Sequence, residues 1–77
     1  MGYKSREVDR YMSLPYHIHM KRETSGIWVV WVEELPNCMS QGDTPDEAMC
    51  MIKDAMRGWL EVELEDGENI PLPEEDA

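Results

Sequence analysis

From Tyr16 to Lys21 apolar and polar residues alternate, with Tyr16, Ile18 and Met20 on one side and His17, His19 and Lys21 on the other. A period of two residues is that of a strand with one buried face. The polar run Arg22-Glu23-Thr24-Ser25-Gly26 is a short turn, so this strand is expected to pair antiparallel with the next. There, Ile27, Val29 and Trp31 point one way and Trp28, Val30 and Val32 the other, which makes both faces of the central strand apolar. One face suits a helix. The other is left for a leader segment, a second copy of the chain or a partner. Turn signals at Leu35-Pro36-Asn37 and Gly42-Asp43 leave room between them for only a short third strand, Cys38 to Gln41.

The period then changes. Ala48, Ile52, Ala55, Met56 and Trp59 recur at three- and four-residue steps, broadened by Met49, Leu60 and Val62, while Asp46, Lys53, Asp54, Arg57 and Glu61 lie opposite. This predicts a helix of about twenty residues, roughly 30 Å long. Its start is marked by Thr44 as N-cap, Pro45 at the first helical position and Glu47 reaching back as a capping box. Gly67 is placed to close it in the left-handed conformation. Gly58, inside the helix, suggests close packing or a gentle bend. Residues 68–73 hold Pro71 and Pro73, which suits a short edge strand and no internal one. Residues 1–13 are mixed in charge and read as a flexible or partly helical leader, with a helical turn at Asp9 to Ser13 closed by Pro15; residues 74–77 read as a disordered acidic tail. The expected fold is α+β: a three-stranded antiparallel sheet plus a short C-terminal edge strand, with one long helix on one face, in the order β-β-β-α-β.

Size and charge narrow the function. A chain of 77 residues builds a core worth only ~3–5 kcal/mol, so self-association into a homodimer or larger oligomer is expected. Its net charge is -10, from 17 acidic and 7 basic residues. That balance argues against a nucleic-acid surface, which needs Lys and Arg to displace counterions, and favours a basic protein partner. Seven methionines and three tryptophans supply the bulk that the absent phenylalanine would otherwise provide. Two cysteines, Cys38 and Cys50, are too few for a disulfide framework. With no signal peptide and no membrane-length apolar run, the expectation is a cytoplasmic protein with free thiols.

Candidate chemistry is sparse. His17 and His19 share one strand face, half of a metal site, but no further histidine and no clustered cysteine completes the set; no metal and no cofactor are expected. Trp28 and Trp31 would serve as a base-stacking platform only beside Lys and Arg, whereas Glu33-Glu34 follow them. No catalytic residue is assigned, since two-metal hydrolysis needs converging inward carboxylates and the central strand has none between Ile27 and Val32.

Taken together, the chain resembles the HicB antitoxin family in its short form. The resemblance covers Leu14 to Pro73. It rests on Leu14-Pro15-Tyr16 entering the first strand, Gly26 and the aromatic second strand, Glu34-Leu35-Pro36-Asn37-Cys38, Ser40-Gln41-Gly42-Asp43-Thr44, Glu47-Ala48, Trp59-Leu60, and Asp66-Gly67-Glu68 before Ile70-Pro71. The chain departs from the family pattern at Asn37, often glycine there, although asparagine tolerates the left-handed conformation. Full-length relatives carry a C-terminal DNA-binding module with no counterpart before Ala77, so operator binding is not carried over. The resemblance makes 14–73 a HicB-like domain with a partial ribonuclease H-like fold. It implies a non-catalytic role: binding a small basic HicA-type toxin, a ribonuclease that cleaves messenger RNA, and masking its active site or RNA surface. Trp28, Glu33, Glu34 and Asp43 are the candidate contacts. The alternative is a solitary HicB-like self-assembling domain with an unknown regulatory client.

Overall fold

The computed structural model describes residues 2–73, so the expectation of disorder for 74–77 lies outside the described residues. Helix α1 covers Gly2–Met12, strands β1, β2 and β3 cover Ile18–Arg22, Trp28–Val32 and Met39–Gly42, and helix α2 covers Pro45–Asp66. The strands form one antiparallel sheet in the order β1-β2-β3. Ile18 pairs with Val32 and Arg22 with Trp28 across the first hairpin, and Trp28 with Gly42 and Trp31 with Met39 across the second. The first turn is closed by the Glu23 N–H donating to the Ile27 carbonyl at 2.8 Å. In the second, Asn37 adopts φ 65, the left-handed region its short amide side chain tolerates.

α2 forms where the spacing places it. The Thr44 side chain accepts from the Glu47 N–H, Pro45 opens the helix, and Gly67 closes it at φ 72. The Glu47 carboxylate reaches back one residue further than an ordinary capping box, to the Asp43 N–H at 2.7 Å. The helix lies across one face of the sheet and buries Ala48, Ile52, Met56 and Leu60. Opposite them sit Val30 and Val32 of β2, with Leu35 and Cys38 from the second turn. The approach is closest at Gly42, where a Cβ would stand 2.5 Å from the Ala48 nitrogen. At Gly58 an added Cβ meets nothing within 4 Å, so close packing within the chain is not the reason for that glycine.

Two parts differ from the sequence expectation. α1 is a full helix of 11 residues, longer than the single turn expected at Asp9–Ser13. It docks on α2 through Val8, which is fully buried, and through an ion pair between Asp9 and Arg57. The short C-terminal edge strand is not formed among the described residues. Pro71 and Pro73 lack the N–H groups a ladder needs. Residues 68–73 instead return as an irregular segment that buries Ile70, and the Pro71 carbonyl accepts from the Tyr16 hydroxyl at 2.6 Å. Burial of the Tyr16 phenol, helped by nearby Tyr11 and Glu34, pushes its pKa up to about 12.

Candidate functional site

Because α2 covers the face carrying Val30 and Val32, the odd-numbered residues of β2 are left on the other side of the sheet. Strand register then sets their neighbours. His19, Trp31 and Met39 form one cross-strand row, and Lys21, Val29 and Gln41 the next. Met39 is 64% exposed. Val29, Trp31, Met39 and Gln41 line a shallow, largely apolar depression. Among the described residues α2 packs on the opposite face and α1 packs on α2.

One end of the depression is bordered by a cluster of histidines and carboxylates. The Glu33 N–H donates to the His17 carbonyl at 2.8 Å, which continues the β1–β2 pairing past Val32. The His19 ring stacks on Trp31, with centroids 5.4 Å apart and planes 15° from parallel, and its Nε2 lies 2.6 Å from Glu33 Oε1. Glu34 turns back under His17. Its Oε1 accepts from the His17 backbone N–H at 3.0 Å and its Oε2 bonds the His17 ring at Nδ1. The Glu34 side chain is only 12% exposed, whereas that of Glu33 is 59% exposed. Burial works to raise the Glu34 pKa, but the hydrogen bonds from the His17 ring and backbone prevail and hold it below the usual carboxylate range. His17, Glu33 and Glu34 each offer one ligand atom, all within 4.8 Å of one another, a set able to hold a metal ion.

The candidate contacts do not all gather here. Glu33 and Glu34 do, joined by His17 and His19. Trp28 faces α2, partly buried against the core and paired with Gly42. Asp43 sits at the mouth of α2, its N–H held by Glu47. Trp31 and Met39, neither of them among the contacts expected from the sequence, are large side chains on the open face. Period-two alternation already separates Trp31 from Trp28. The signal that decides between them is Gly42: only a strand position without a Cβ admits the helix backbone so closely, and that position faces Trp28.

A second apolar groove runs between β3 and α2, lined by Cys38, Met39, Ala55, Gly58, Trp59 and Val62. The Trp59 indole closes one end by donating to the Pro36 carbonyl at 2.9 Å. Neither cysteine is bonded to another. Burial pushes the Cys38 thiol up, which removes it as a nucleophile near neutral pH. Among the described residues no helix is long and apolar enough to cross a membrane.

Sequence comparison adds an independent line. Residues 15–76 match the family described as HicB-like antitoxin of bacterial toxin-antitoxin system. A UPF0150 protein of Thermoplasma acidophilum is 36% identical over 58 residues, covering 75% of this chain and 84% of that protein. Antitoxin HicB 1 of Photorhabdus laumondii is 35% identical over 72 residues, covering 94% of this chain and 45% of the antitoxin. An uncharacterised 14.9 kDa protein of Haemophilus phage HP1 is 41% identical over 56 residues, 73% of this chain and 41% of the phage protein. The chain thus spans most of the Thermoplasma relative and less than half of the other two. With the sheet-and-helix fold and a family match running from Pro15 past the last described residue, the chain belongs to the HicB-like antitoxin family of bacterial toxin–antitoxin systems.

Proposed function

We propose that the chain acts in the cytoplasm as a non-catalytic antitoxin, neutralising a small basic HicA-type toxin that cleaves messenger RNA by masking its active site or RNA surface. The observation that carries this reading is the open sheet face: Val29, Trp31 and the exposed Met39 bordered by Glu33, on a chain of net charge -10. An aromatic and a methionine at the centre with carboxylates at the rim suit a basic protein surface, the apolar centre giving affinity and the rim giving attraction and orientation. Glu33 and Glu34 keep their place as candidate contacts. Trp31 takes the aromatic role, because Trp28 faces α2; Asp43, at the far end of the sheet, is a peripheral contact.

Co-expression with the protein encoded in the neighbouring reading frame tests it. A basic partner should copurify and lose RNA cleavage, and Trp31→Asp should weaken the complex by at least about tenfold. Failure of pull-downs to recover any such partner would sink the toxin-specific version. A second reading, a self-assembling domain with an unknown regulatory client, draws support from β3. It lies at the sheet edge, and Met39 is shared between the open face and the groove beside α2. An edge strand presents backbone groups for pairing with another chain. Light scattering that finds only monomer at every concentration would remove this reading.

A further inference from the structure

We propose that His17, Glu33 and Glu34 form a binding site for a divalent transition-metal ion of the zinc class on the open side of the sheet, with His19 orienting Glu33. This site shares Glu33 and Glu34 with the toxin-binding reading but does not rest on it, and metal binding by the chain alone tests it without any toxin.

The backbone brings the donors together. Antiparallel pairing sets His17 opposite Glu33, and neighbouring strands about 4.8 Å apart put an imidazole and a carboxylate on the same face within reach of one ion. The turn after β2 supplies the third donor, since Glu34 folds back under His17 and is anchored there by the His17 backbone N–H at 3.0 Å. Donor atoms within 4.8 Å of one another need shifts of only about 1 Å to surround an ion with bonds of about 2.0–2.2 Å. The sequence pattern shows two histidines two residues apart and no third; it does not show that two consecutive carboxylates just after the paired strand turn toward the same point.

The proton shared between the His17 ring at Nδ1 and Glu34 Oε2 would leave to solvent as the ion enters, while the other contacts hold the donors in place. Glu34 is largely shielded from water, and the His19 Nε2 lies 2.6 Å from one oxygen of Glu33, leaving the carboxylate its other oxygen. His19 in turn stacks on Trp31. Hydrogen bonds of this kind fix ligand orientation, and losing one typically costs about 10–100-fold in metal affinity. The donor set also selects the ion. One imidazole and two carboxylates carry charge enough for a divalent cation, and the imidazole nitrogen favours zinc, cobalt or nickel over magnesium and calcium, which prefer oxygen alone. Three protein donors leave a coordination position for water. His–Glu pairs at a surface contribute little by themselves; what sets this cluster apart is the convergence of a third donor.

Calorimetric titration of the full chain with zinc chloride at neutral pH reads the site directly. One ion per chain should bind in the micromolar range, and cobalt should give visible absorption. Nickel should quench tryptophan emission, because Trp31 is packed on His19. His17→Ala and Glu33→Gln should abolish binding while leaving the circular dichroism spectrum intact, and His19→Gln should weaken it by about tenfold. Cys50→Ser and Glu61→Gln, which alter an exposed thiol and an exposed acid elsewhere, should change nothing. Binding only at millimolar zinc, or binding of equal strength in His17→Ala and Glu33→Gln, would overturn the proposal, as would its loss in Cys50→Ser.

Discussion

Gly42 is the residue at which the two layers come closest. The atoms a Cβ would strike belong to the backbone of Glu47 and Ala48, which cannot rotate aside, so Gly42→Ala should lower stability by about 1–3 kcal/mol in urea denaturation. Tyr16 acts at longer range, its hydroxyl being the hydrogen bond that ties Pro71 to the entrance of β1. Tyr16→Phe should cost about 1 kcal/mol. The linkage follows from the neutral phenol being favoured in the folded state, where its pKa is about 12 against an ordinary 10.0. The stabilisation is complete below pH 10.0 and lost as the pH rises toward 12. Alkaline denaturation across that window should therefore be shallower in Tyr16→Phe. Some of these residues are legible in the sequence and some are not. Asn37 and Gly67 sit at left-handed positions that turn chemistry alone indicates. Alternation alone does not rank Trp31 over Trp28: it shows that the two tryptophans face opposite ways, and it takes the pairing of Gly42 with Trp28 to show which face the helix takes.

At the scale of elements, legibility follows the density of signals. α2 has a cap, a first-turn proline, a long apolar stripe and a closing glycine, and it forms within a residue or two of where these place it. Removing the first of them, in Thr44→Ala, should lower stability by about 1 kcal/mol, read as a fall in melting temperature. α1 has none of these signals. Val8 is fully buried and the residues around it are mixed in charge, so the helicity of α1 depends on docking against α2, which local pattern does not reveal. The C-terminal segment fails as a strand for the opposite reason: its proline signal is strong, but it forbids the ladder and permits only a single side-chain anchor. The His–Glu cluster is likewise a product of pairing. Its members come from β1, from the residue just before it and from the turn after β2, and only the register makes them neighbours.

For the molecule as a whole, the meander β1-β2-β3 followed by α2 joins each element mainly to its neighbours in the chain. Loops between such elements are short, so little chain entropy is spent before their contacts form, and folding of the sheet and α2 should be fast. The links that span most of the sequence are few: Tyr16 to Pro71, 55 residues apart, and Asp9 to Arg57, 48 apart. With the burial of Val8 and Ile70, these fasten the two ends of the described chain, α1 and residues 68–73, onto the sheet and α2. Hydrogen exchange should accordingly show two tiers: α1 exchanging early through partial opening, and β2 with the middle of α2 exchanging only when the whole domain unfolds. Uniform protection of α1 and β2 would instead mark a single cooperative unit. An early-opening end gives a cellular protease its first foothold, so the lifetime of the protein in the cell would be set by how firmly Val8, Ile70 and the two long-range bonds hold its ends.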